Sequence, residues 1–178
     1  MGSITLIFPH QLYREHPALM KTRPIMLYEH KHFFSSFCFY IGKRVFHRAS
    51  MKAYEQWLVH QGYTIFYIDY DSTHSWDTLS KKYQIDEMHY MDPVDSFLEK
   101  ELAQLSFRMI VYESKMFLTD RSLCHEYAEK RTMVRMASFY RMQRRRLTIL
   151  MDKDEPVGGS WSFDKDNRKP VPQNITLP

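Results

Sequence analysis

Hydrophobic and polar positions along the chain fall into short apolar runs separated by longer segments of helical spacing. Residues 4–8 (Ile-Thr-Leu-Ile-Phe) are closed by Pro9 and read as a buried strand. Residues 24–28 (Pro-Ile-Met-Leu-Tyr) repeat the pattern and end at Glu29, and residues 64–68 (Thr-Ile-Phe-Tyr-Ile) follow Gly62 and end at Asp69. Residues 87–91 are a weaker run closed by Asp92-Pro93, and residues 107–112 form a fifth that ends at Glu113. Between them, apolar positions recur at helical spacing over residues 44–59, where Val45, Phe46, Ala49, Ala53, Tyr54, Trp57 and Leu58 precede the stop signal Gly62. Residues 75–83 open on a serine cap, and residues 94–105 follow an Asp-Pro helix start. This alternation predicts an α/β fold: a Rossmann-like three-layer sandwich around a five-stranded, mainly parallel sheet with right-handed crossovers.

The last third has a different pattern. Residues 120–129 read as a short helix and residues 132–151 as a long amphipathic one. Met133, Met136, Tyr140, Leu147 and Leu150 lie on one side of it, and Arg131, Arg135, Arg141, Arg145 and Arg146 on the other, with Arg144 at the apolar edge. From residue 152 to 178 periodicity stops, and four of the eight prolines and two of the five glycines crowd into that stretch. The expected organisation is a Rossmann-like domain over residues 1–130, a long basic helix packed on it over 131–151, and a linker over 152–178 leading towards a missing domain.

Composition changes this picture in two places. Only two cysteines, Cys38 and Cys124, occur in 178 residues, which excludes a disulfide scaffold and a Cys-based zinc module. Charge is local: residues 130–146 carry seven Lys or Arg and no acid. Removing those seven from the chain's 25 Lys+Arg leaves 18 against 21 Asp+Glu, so one segment supplies the whole positive balance. No apolar run reaches membrane-spanning length and the first residues lack the features of an export signal, so the expected location is cytoplasmic, without membrane contact.

Several familiar chemistries are missing. The turn after the first run is Pro9-His10-Gln11-Leu12 rather than a glycine loop, and neither a phosphate-binding loop nor a G-x-S-x-G nor an H-E-x-x-H motif occurs. His30 and His32 beside Glu29 could both face one ion, but spacing assigns no third ligand, so no metal is expected. In an open α/β sheet, ligands bind outside the carboxyl ends of the strands. That rim would hold His10, Gln11, Glu29 and Asp69, with Phe33, Phe34 and Phe37 close behind. Two readings stay open there: polar groups and rings that grip a planar heterocycle, or helix caps and loop packing. Arg135, Arg141 and Arg145 have three: a solvated face, phosphate contact, or docking onto a further domain.

Four stretches carry a family resemblance. They are Leu6-Ile-Phe-Pro-His-Gln-Leu12, then Lys43 through His47-Arg-Ala-Ser-Met51, then Tyr112-Glu-Ser-Lys-Met-Phe-Leu-Thr119. The last is Phe139-Tyr-Arg-Met-Gln-Arg-Arg-Arg-Leu-Thr-Ile-Leu-Met151 running into Pro156-Val-Gly-Gly-Ser-Trp-Ser-Phe-Asp-Lys-Asp-Asn-Arg168. Together they span nearly the whole chain, which resembles the N-terminal α/β domain of the bacterial photolyase/cryptochrome-related flavoproteins, the deoxyribodipyrimidine photolyase-related, iron–sulfur branch. The resemblance implies an antenna-type domain that holds a ribityl-lumazine-type chromophore, with His10, Gln11, Glu29, Phe33, Lys43 and His47 at or beside its pocket and no catalytic residue. It implies that FAD and an iron–sulfur cluster belong to the missing helical C-terminal domain. DNA would then be a partner of the complete protein, weakly bound or unbound by this chain, which would lack photolyase activity alone. A surface left by the missing domain could drive self-association. The complete protein would repair DNA in light or sense blue light. Pro9-His10 stands where many relatives carry Gly-Asp, and Tyr40-Ile41 where they often carry His-Lys; both changes fall at the implied antenna pocket. The alternative reading is a stand-alone Rossmann-like nucleotide-binding protein or small nucleotide-processing enzyme.

Overall fold

The computed structural model describes residues 2–71, 74–164 and 170. The chain forms two compact units, Met1–Asp120 and Arg121–Pro178. In the first, β1 (Gly2–Ile7), β2 (Ile25–Tyr28), β3 (Ile65–Ile68), β4 (Ile85–Met91) and β5 (Arg108–Tyr112) form one sheet in the order β3-β2-β1-β4-β5. Every neighbouring pair is parallel. The five apolar runs are therefore the five strands, shifted by a few residues at their ends.

β2 is apolar along its length and β1 nearly so over residues 4–7, because both faces of the sheet are covered there. Ile4 and Leu6 of β1 and Met26 and Tyr28 of β2 point to one side, where they pack with Leu79 of α3 (Trp76–Tyr83) and with Leu98 and Leu102 of α4 (Ser96–Leu102). Ile7, Ile25 and Leu27 point to the other, against Phe34 of α1 (Lys31–Phe34) and Met51, Tyr54 and Leu58 of α2 (Ile41–His60). This is the three-layer α/β sandwich. The Ser75 hydroxyl caps α3 as the sequence suggests, accepting from the Thr78 amide, whereas α4 starts later than the Asp92-Pro93 signal, at Asp95, whose carboxylate accepts from the amides of Phe97 and Leu98. Gly2 is needed where it stands, since a Cβ there would lie 2.0 Å from the Gln84 carbonyl oxygen.

β2 and β3 extend the sheet on one side of β1, and the chain then crosses to lay β4 on the other. The topological switch point therefore lies between the carboxyl ends of β1 and β4, which bring His10 and Gln11 beside Asp92 and Pro93.

The second unit departs from expectation. α5 (Arg121–Glu129) forms as anticipated, but the long helix over residues 132–151 does not: α6 runs from Met136 to Leu147, 12 residues. Its start has no side-chain cap, because Arg135 occupies the N-cap position. Its end is forced by left-handed backbone at Thr148 (φ 55°) and Leu150 (φ 52°). There the Arg144 guanidinium turns onto the carbonyls of Ile149 and Leu150 and supplies the donors that a helix end lacks. The expected amphipathic division also fails: Met136 is 77% exposed and Tyr140 47% exposed, while Gln143 and Arg144 are buried. Part of the expected linker is ordered as well. β6 (Met151–Asp152) and β7 (Glu155–Pro156) pair as an antiparallel hairpin. The linker expectation for residues 165–169 and 171–178 falls outside the described residues. Among the described residues, no helix is long and apolar enough to cross a membrane.

Candidate functional site at the carboxyl rim of the sheet

The rim is built from the residues that follow β1, β2 and β4. His10 leaves β1 and places Nε2 3.0 Å from the Pro93 carbonyl oxygen. A carbonyl only accepts, so Nε2 carries the proton and Nδ1 holds a bare lone pair. That Nδ1 is buried and has no partner. Burial is the main reason His10 titrates below the ordinary histidine value; the Pro93 carbonyl and Asp95 oppose the shift, and His47 and His32 add to it. The imidazole is thus a neutral acceptor held at the switch point. Its ring lies 4.8 Å from that of Phe33, and Phe33 lies 6.1 Å from His47, centroid to centroid. Burial, followed by the Lys43 charge, lowers the His47 pKa too. Lys43 itself points its ammonium over the Phe39 ring at 3.9 Å.

Gln11 and Glu29 have other work. Gln11 is fully buried and donates its amide to the carbonyls of Met91 (2.9 Å) and Asp92 (3.2 Å), stitching the end of β1 to the end of β4. Glu29 is also fully buried. Its carboxylate receives both the Nε and a terminal nitrogen of Arg48, the Tyr67 hydroxyl at 2.5 Å and the Tyr70 amide at 3.3 Å. Burial alone would raise its pKa; the Arg48, Tyr67 and Tyr70 contacts outweigh that and hold the carboxyl below its ordinary value. Asp69 lies 3.3 Å from the same Arg48. The structure therefore brings His10, Phe33 and His47 together, and closes Gln11 and Glu29 into the scaffold.

The histidine pair after β2 is likewise divided. His30 Nδ1 accepts from the His32 amide, and its Nε2 faces Glu101, which also accepts from the Trp76 indole at 2.9 Å. His32 faces Asp95 at 3.3 Å and stacks on Phe97 at 4.9 Å. The two imidazoles serve separate carboxylates, and among the described residues no group of three or more His, Cys, Asp and Glu gathers as a metal site.

Three features had no sequence reading: the Arg48–Tyr67 clamp on Glu29, the pairing of His32 with Asp95, and Val94. The last is a β-branched residue at φ 51°, next to the switch point, and its amide donates to the Asp92 carboxylate at 2.8 Å. Nothing in the local sequence announces it, since valine is among the residues least suited to left-handed backbone.

Arg135, Arg141 and Arg145 lie in the second unit. Arg135 is the α6 N-cap residue, while Arg141 and Arg145 place their guanidinium carbons 5.8 and 4.7 Å from the Trp161 ring centre.

Fold and rim together define a doubly wound α/β protein with an unsatisfied acceptor at its switch point. The chain belongs to the deoxyribodipyrimidine photo-lyase-related protein family, whose sequence model matches residues 5–178. An uncharacterized protein, R852, of Acanthamoeba polyphaga mimivirus is 31% identical over 194 aligned positions that cover 99% of each chain. A (6-4) photolyase of Agrobacterium fabrum is 34% identical over 68 residues, which are 38% of this chain and 13% of that protein.

Proposed function

We propose that the first unit is an antenna-type module that binds a flat heterocyclic chromophore at the switch point, with a ribityl-lumazine as first candidate. The observation that carries the proposal is His10: a buried acceptor without a donor, beside the Phe33 and His47 rings. An unpaired buried acceptor costs about 1–3 kcal/mol, which a ring N–H of a ligand would recover. Membership in the photolyase-related family and the partial similarity to a (6-4) photolyase support the chromophore class. Such a chromophore, when bound, absorbs light and passes the excitation on. The part of this chain is to hold it: His10 reads the polar edge and Phe33 offers a ring face. Two cysteines cannot supply the four thiolates of an iron–sulfur cluster. We therefore assign a cluster, FAD and the light-driven chemistry, whether DNA repair or blue-light sensing, to a complete flavoprotein rather than to these residues.

The test is retention. Purified chain is saturated with a ribityl-lumazine, a deazaflavin or a folate and then desalted, and visible absorbance is read. Wild type should keep one of the three, and His10→Phe should hold it at least about tenfold more weakly, as ~1.4 kcal/mol corresponds to tenfold. Retention of none, or equal retention by His10→Phe, overturns the reading.

A second reading, a small nucleotide-processing enzyme, rests on the His30–Glu101 and His32–Asp95 pairs at the same rim. Hydrolysis of a nucleotide by wild type, abolished in His32→Ala, would favour it over the antenna.

A further inference from the structure

The two edges of the five-stranded sheet are not alike. β3 and β5 each lack a neighbouring strand on one side among the described residues. The backbone N–H and C=O groups of successive residues in a strand point alternately to its two edges, so an edge strand keeps one unpaired row. On β5 the Tyr112 carbonyl accepts from the Asp92 amide at 2.8 Å, so Tyr112, Ile110 and Arg108 turn their backbone groups towards β4. Met109 and Val111 therefore turn theirs outward, and among the described residues these groups have no backbone partner. On β3 the Ile68 carbonyl accepts from the Glu29 amide, which makes Ile65 and Tyr67 the outward pair there.

Exposure separates the two edges. No residue of β3 is exposed, and the Lys52 ammonium covers the Tyr67 ring at 3.2 Å from its centre. On β5, Val111 is 55% exposed, and apolar surface continues into the segment that follows, where Phe117 is 58% exposed. Sheets blunt an open edge with proline, a bulge or a charge. β5 has no proline, pairs with β4 without a bulge, and carries its one charge, Arg108, at the strand start, drawn back to Glu87 of β4 at 3.2 Å. A second copy of β5 fits this edge. With a two-fold axis through Ile110, Met109 of each copy lies opposite Val111 of the other, and each such pair exchanges two N–H···O bonds. A two-fold perpendicular to the sheet keeps each residue on its own face, so paired residues must be of the same parity, as 109 and 111 are. Arg108 falls opposite Tyr112 and Glu113 opposite Phe107, so no charge faces a like charge. This register uses both outward residues of β5 and none beyond the strand.

We infer that β5 is a self-pairing edge: two copies of this chain join antiparallel through it, centred on Ile110, and their sheets run on across the interface. The occupant is a second copy because the strand is complementary to itself in hydrogen bonding, in parity and in charge. The inference rests on the sheet edge alone, so it and the chromophore reading can fail separately.

Sedimentation of the full chain across the micromolar range, where modest interfaces associate, should show a monomer–dimer equilibrium. Val111→Pro removes an outward N–H and leaves every bond to β4 in place, so it deletes intermolecular bonds and spares the sheet. Each copy loses one donor, and the dimer should weaken roughly five- to 150-fold. A cysteine arm tests the register without that variant. In a background of Cys38→Ser and Cys124→Ser, which removes both exposed thiols, Ile110→Cys meets its own copy at a Cα separation of about 4.5 Å. It should form a disulfide-linked dimer under mild oxidation. Val111→Cys should not, since its two copies stand about 9 Å apart in this register, beyond disulfide reach. Should Val111→Pro lower the urea midpoint, the cysteine arm alone decides. The proposal is overturned by a chain that stays monomeric throughout that range, by a dimer that a folded Val111→Pro leaves unweakened, or by cross-linking through Val111→Cys in place of Ile110→Cys.

Discussion

Charged side chains meet opposite fates at the sheet rim and along α6. At the rim, Glu29 and Arg48 are consumed by each other, by Tyr67 and by the Tyr70 amide, and Gln11 is consumed by the Met91 and Asp92 carbonyls. On α6, Arg141 and Arg145 have only an aromatic ring for a partner among the described residues. The same kinds of residue hold the fold together in one place and keep unused donors in the other. What separates them is saturation of hydrogen-bonding capacity. A buried carboxylate must be matched on every oxygen to be tolerated, and once matched it has nothing to offer a ligand. An arginine on an exposed helix face keeps its hydration and needs no such matching.

The sharpest break of that comparison is at Glu29. Glu29→Leu removes one partner of a buried charge pair, which typically costs 3–5 kcal/mol. Arg48 is partly exposed and can turn to water, so the loss should fall at the lower end, about 3 kcal/mol. Urea unfolding would show a lowered midpoint. An unchanged midpoint would mean that the rim carboxylate is no more spent than the α6 arginines, and the contrast would collapse.

Next in size is an acid limb from His16, between β1 and β2. It is buried, its Nδ1 accepts from the Ala18 amide and its Nε2 has no partner. Burial lowers its pKa from 6.5 to about 4. Because the folded value is the depressed one, the unfolded chain binds more protons between these limits, and stability falls as pH drops from about 6.5 towards 4. The total is about 3 kcal/mol at 1.36 kcal/mol per unit. His10 and His47 shift in the same direction and steepen the limb. Thermal midpoints across that window should fall in wild type and flatten in His16→Asn, whose amide oxygen can replace the acceptor without titrating. An equally steep fall in the variant would place the proton elsewhere.

These effects also explain what the sequence could disclose. The strands were legible because β1 and β2 are buried on both faces and leave nearly continuous apolar runs, and the rim followed from the residues that close those runs. The state of Glu29 was not legible, because its clamps arrive from 19, 38 and 41 residues away on α2, β3 and the loop beyond it. The length of α6 was hidden for a local reason. A helix end is read from glycine or asparagine, and here Thr148 and Leu150 take the left-handed turn with an arginine bridging the carbonyls. The place of Trp161 against α6 was hidden because the residue belongs to a stretch whose prolines and glycines read as linker. Its return to α6 has no periodic signature.

The smallest expected effect completes the contrast from the other side. If Arg141 and Arg145 are unspent, their joint replacement by Gln should cost about 1 kcal/mol, well below the loss in Glu29→Leu. Each guanidinium does lose its cation–π contact with Trp161, which at exposed sites is worth about 0.5–1 kcal/mol. Removing two adjacent like charges from a segment without acids relieves repulsion, and that gain offsets part of the loss. Salt separates the two contributions, because screening weakens repulsion between exposed charges within a Debye length of about 8–10 Å. The double variant should therefore compare best with wild type in dilute buffer and slightly worse as salt is added. A loss approaching that of Glu29→Leu would instead show that these arginines brace the second unit as Arg48 braces the first.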